Sequence, residues 1–100
     1  MSSSYTENSD RFPLLTDLAA YMVIHGKEKG IRTLDSFLDI ASRIGKELGI
    51  WGTRMEDLLV AVAAAYYYGV PEDIKEKVEI EIRKSPRIKG LIEGYLENYS

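Results

Sequence analysis

The sequence predicts an all-α protein, a compact bundle of four to five helices around an Ala-rich central helix. Three observations carry this reading. Apolar residues recur at spacings of three and four along most of the chain. Gly and Pro punctuate it where helices stop and start. One short stretch, 77–83, alternates polar and apolar residues, but it has no second strand to pair with. With 100 residues the chain has room for one domain. Residues 1–9 are expected to form a flexible polar tail, and residues 10–100 a single helical domain.

In the first helix, Asp10 is placed to cap and Pro13 falls in the first turn. Leu14, Leu15, Leu18, Ala19 and Met22 form its apolar side, and Gly26 is expected to end it. The second helix runs from a Thr33 cap to about Leu48. Leu34, Phe37, Leu38, Ala41, Ile44 and Leu48 make one apolar stripe, and Gly49 supplies the stop.

Thr53 and Glu56 have the spacing of a capping box ahead of a third helix, about 54–69. Leu58 to Ala65 is apolar without a break. The uncharged run from Leu58 to Pro71 is 14 residues, and a membrane span needs ~20. The run therefore reads as a buried helix enclosed by the others. Gly69 ends it and Pro71 opens a fourth helix, in which Ile74, Val78 and Ile82 follow every four residues. Neighbouring Glu and Lys favour helix over strand at 77–83. After Ser85-Pro86, a last helix carries Ile88, Leu91, Ile92, Tyr95, Leu96 and Tyr99 on one stripe. No internal repeat is identified.

Composition narrows the function. There is no Cys, no Gln and one His, and the two Asn lie near the ends. Without Cys there is no thiolate metal site and no cysteine nucleophile. Depletion of thermolabile residues beside Lys- and Glu-rich charge matches the composition of heat-adapted proteins. The polar N-terminus lacks the apolar segment of a secretory signal, so a soluble cytoplasmic protein is expected. No phosphate-cradling Gly loop is present. Helical carboxylate–imidazole metal sites set a Glu three residues before a His, and Met22, not a Glu, stands three residues before His25. It reads as a dipole partner in the last turn of its helix. No cofactor, metal, catalytic residue or small-molecule substrate is expected.

Two features point to partners. Arg83, Lys84, Arg87 and Lys89 stand within seven residues free of acids, in a chain of net charge −3, and could meet phosphates. Gly90 and Gly94 lie inside a strongly amphipathic helix, where each Gly costs ~1 kcal/mol relative to Ala, so close approach of a neighbour is expected on that face. Consecutive helical residues point ~100° apart, so Tyr66, Tyr67 and Tyr68 cannot share one face and at least one reaches the periphery. Gly90, Gly94, Tyr95, Tyr99, Tyr67 and Trp51 are the candidate interface residues. In size, helical content and composition the chain resembles the small all-helical subunits of archaeal CRISPR interference complexes. The resemblance covers no specific residues and transfers no site. A non-catalytic subunit that binds protein or itself is the expected function, with phosphate contact to nucleic acid through 83–89 as the alternative.

Overall fold

The computed structural model describes residues 13–99, with side chains described to Asn98. The expected tail and the Asp10 cap lie outside the described residues. Five helices follow in order: α1 (Leu15–Glu28), α2 (Leu34–Glu47), α3 (Thr53–Tyr68), α4 (Glu72–Arg83) and α5 (Pro86–Tyr99). They form an all-α bundle, with no strand among the described residues. Residues 77–83 are helical, closing the alternative left by their alternating pattern.

The centre is held by α1 and not by the Ala-rich helix. α1 packs on each of the other four helices. Nine of its 14 residues are buried, with Asp17 to Ile24 an unbroken run. In α3 only Leu58 and Val62 are fully buried. Glu56 and Asp57 decide the difference. At 100° per residue they project on the same side of α3 as Val60, Ala64 and Tyr67. Burying that side would strip two carboxylates of water. The whole face is turned outward, and α3 packs on α1 and α2 with its other side.

Gly26 does not end α1. It lies inside the helix and is buried, and a Cβ there would run into the Phe37 ring, itself fully buried on α2. Its role is close packing. The stop comes four residues later. Gly30 has φ +98, its amide donates to the Lys27 carbonyl at 3.1 Å, and the Ile31 amide donates to the Gly26 carbonyl at 2.9 Å. This pair of bonds is a Schellman ending. The same pair closes α2: Gly49 (φ +74) donates to Lys46 O at 3.1 Å, and Ile50 to Gly45 O at 2.7 Å. The two endings share one sequence, Gly26-Lys-Glu-Lys-Gly-Ile31 and Gly45-Lys-Glu-Leu-Gly-Ile50. The expectation of no internal repeat is corrected at this six-residue scale, where only Lys29 and Leu48 differ between the two segments. Ile31 and Ile50, the residues after each turn, are both buried and anchor the loops to the core.

Two helix starts also differ from expectation. Leu14 takes the N-cap position of α1 with no side-chain cap, and Pro13 precedes the helix. Thr53 is already helical: Gly52 (φ +62) is the N-cap of α3, so the capping box does not form. With Ile50 held in the core, the Gly52 turn begins the helix one residue early. The Thr33 cap of α2 forms as expected, its Oγ1 accepting from the Ser36 amide at 3.3 Å.

Among the described residues Asp17 is the one buried charged side chain of the core. Burial holds its carboxyl above the ordinary 3.8; Lys77 on α4 works against this shift and Glu81 adds to it. A raised folded-state value means the protonated form is favoured on folding, so this contribution to stability is present at low pH and lost as pH rises through the folded value.

Two predictions follow from this packing. Gly26→Ala should lower unfolding stability by about 1–3 kcal/mol in urea titration, because overpacking against Phe37 outweighs the gain in helix propensity. Asp17→Asn should be more stable than wild type at neutral pH, with the gap closing as pH falls into the carboxylate range; a gap that widens on acidification would contradict the sign of the shift.

Candidate interaction surfaces

The expected interface residues do not form one patch. Trp51 and Tyr67 belong to the α3 region, whereas Gly90, Gly94 and Tyr95 belong to α5. α3 packs on α1 and α2; α5 packs on α2, α4 and α1.

The α3 surface is the larger apolar feature. Val60 is 68% exposed, Tyr67 69% and Tyr68 90%, and Ala64 is exposed between them. Positions 60, 64, 67 and 68 fall on one helical side. Just before the helix, Trp51 is 61% exposed, while its neighbour Ile50 is fully buried. Ile50, not Trp51, closes the core at this point. Glu56 and Asp57 stand on the same side of α3, about one turn before Val60 and toward the helix start.

Tyr66 faces the other way and works inside the fold. Its hydroxyl donates to the Arg32 carbonyl at 2.7 Å, its ring centroid lies 5.8 Å from that of Phe37, and Lys27 Nζ sits 5.1 Å from it. Lys27 also donates to the Tyr66 carbonyl at 3.4 Å. Lys29, close to Lys27 in sequence, is also tied to a neighbour, pairing with Glu97 at 3.6 Å.

The α5 glycines have open space around them. A Cβ at Gly90 or Gly94 would meet nothing within 4 Å. No helix among the described residues uses the close approach they permit. Exposed Arg87, Glu97 and Asn98 lie along the same helix, so this surface is polar. Tyr95 turns away from it, half-buried, with its hydroxyl donating to Glu47 Oε1 on α2 at 3.4 Å. The side chain of Tyr99 lies outside the described residues.

The basic stretch is divided by the fold. Arg83, Lys84 and Arg87 are exposed, and Lys84 pairs with Glu81 at 3.6 Å. Arg83 from α4 and Lys89 from α5 converge on a cleft of about 170 Å³ that also holds Tyr21, His25, Glu79 and Glu93. Tyr21 donates to Glu93 Oε2 at 3.3 Å, and burial, followed by the Glu93 charge, pushes its hydroxyl up to about 12. The phenol keeps its proton and acts as a donor. His25 lies against the Tyr21 ring (centroids 4.2 Å apart) with Nδ1 3.2 Å from Glu28 Oε2; its Nε2 is buried without a hydrogen-bond partner. This cluster joins residues 21, 25, 79, 83, 89 and 93 from three helices, and no local sequence spacing signals it. Asp39 pairs with Arg43, one turn on, at 3.4 Å. Among the described residues no three His, Asp or Glu side chains gather to hold a metal, and no helix is long and apolar enough to cross a membrane.

No family model, curated protein or solved structure matches the chain.

Because the space at both α5 glycines is open, Gly90→Ala and Gly94→Ala should each stabilise the isolated chain by about 0.5–1 kcal/mol, read as a rise in the urea midpoint at unchanged slope. Destabilisation by either would mean that a neighbour already occupies that face.

Proposed function

We propose that this chain is a non-catalytic protein-interaction subunit that docks through the outward face of α3. The observation that supports the reading is the apolar stripe Val60, Ala64, Tyr67 and Tyr68, left in water by a helix whose opposite side is core. Scattered exposed apolar residues are ordinary, but a contiguous stripe with exposed aromatic residues fits a contact surface. The partners are protein or a second copy of the chain, in a soluble assembly that needs no cofactor.

The test is the size of the particle that carries the tagged chain in its source cells. Wild type should migrate well above the 11.3 kDa of a monomer. Val60→Glu with Tyr67→Glu should migrate as a monomer while keeping its helix content. Both residues are exposed, so the fold has little to lose. A wild-type chain that runs as a monomer in the source extract would overturn the reading.

A second reading is supported by the convergence of Arg83 and Lys89 on one cleft: contact with nucleic-acid phosphates inside a nucleoprotein assembly. Glu79, Glu81 and Glu93 stand close by and weaken it. It requires binding of DNA or RNA that falls steeply with salt, with a shallower slope once Arg83, Lys84, Arg87 and Lys89 are replaced by Ala. No binding at low salt rejects it.

A further inference from the structure

We infer that the occupant of the α3 face is a second copy of the same chain, paired antiparallel through α3 about a two-fold axis near residue 62. The inference deepens the docking reading and rests on it.

The argument comes from the order of residues along the stripe. Carboxylates lie at its start (Glu56 and Asp57), small apolar residues at its middle (Val60 and Ala64) and phenols at its end (Tyr67 and Tyr68), all exposed. Residue numbers 56 and 57 are as far before 62 as 67 and 68 are after it, to within a residue. A two-fold axis through that midpoint lays the carboxylate end of each helix against the phenol end of the other. Phenol hydroxyls then donate to carboxylates at both ends, and charge-assisted bonds of this kind are the stronger ones. In a parallel pairing the same groups would meet their own kind, placing carboxylate against carboxylate.

The middle of the stripe suits the same geometry. Val60 and Ala64 straddle the axis, and small side chains there let helix axes come within ~8–10 Å. Antiparallel alignment also places each helix N-terminus beside the other's C-terminus, the favourable arrangement of the two dipoles. A two-fold interface uses one surface patch twice and must therefore complement itself, which this stripe does. α3 has 16 residues and is about 24 Å long. Tyr67, Tyr68 and Trp51 are 69%, 90% and 61% exposed and would contribute part of the ~800 Å² per partner of a standard interface.

The experiment uses the purified full-length chain. Sedimentation velocity from micromolar to millimolar concentration should show a species at twice the monomer mass. Val60→Glu puts like charges beside the axis and should weaken association by ~10-fold or more. Ala64→Lys is the second variant should the first fail to fold. The orientation is read by disulfide trapping, which is clean because the chain has no cysteine. Glu56→Cys mixed with Tyr67→Cys should give the crossed 56–67 disulfide. The two copies of position 56 stand about 18 Å apart in this pairing, beyond the ~7 Å that a disulfide spans.

A chain that stays monomeric throughout, or traps 56–56 and 67–67 in place of 56–67, overturns the inference. If the purified chain is monomeric while Val60→Glu still releases it from its particle in source cells, the docking reading stands and the second copy is rejected.

Discussion

Enclosure of α1 by the other four helices is the constraint on which this fold depends. A helix touched on all sides must present small or apolar groups in every direction, and the run from Leu18 to Ile24 does so. The tightest point is the contact of Gly26 with Phe37. There the missing Cβ lets the α2 ring lie against the α1 backbone, and the same glycine's carbonyl accepts the Ile31 amide that ends the helix. One residue thus sets both how closely α2 approaches and where the chain turns to begin it.

The repeated Gly-Lys-Glu-x-Gly-Ile ending makes the first two turns alike. In each, a glycine with positive φ reverses the chain and the following isoleucine is buried. The loops are short because the residues that leave one helix are already anchored in the core. The second anchor, Ile50, also explains why Trp51 is outside: adjacent residues around a tight turn point in opposite directions, and the interior place is taken.

With α1 at the centre, α3 is peripheral, and its apolar content becomes a surface property. Three tyrosine hydroxyls around the core are engaged: Tyr66 with the Arg32 carbonyl, Tyr21 with Glu93, and Tyr95 with Glu47. α3 offers an ordered sequence of acidic, small and phenolic side chains. α5 offers exposed backbone at two glycines. The α1–α4–α5 cleft offers mixed charge, with carboxylates close enough to offset its cations.

The sequence by itself determined the helical class, a count of four to five helices, the Thr33 cap, the Gly49 and Gly69 stops and most of the buried positions on α2 and α5. These follow from local periodicity and backbone preference, which act over a few residues. Only the tertiary structure decided which helix is central, whether Gly26 is a stop or a contact, and that Gly90 and Gly94 face open space. It alone brought His25, Arg83 and Lys89 to one cleft. For α3 the decisive clue was present but outvoted. Its unbroken apolar run implied burial on all sides, while Glu56 and Asp57 already marked one side as outward. Periodicity counts apolar residues without asking which neighbours remain to cover them, and four helices around α1 leave none for the outer face of α3.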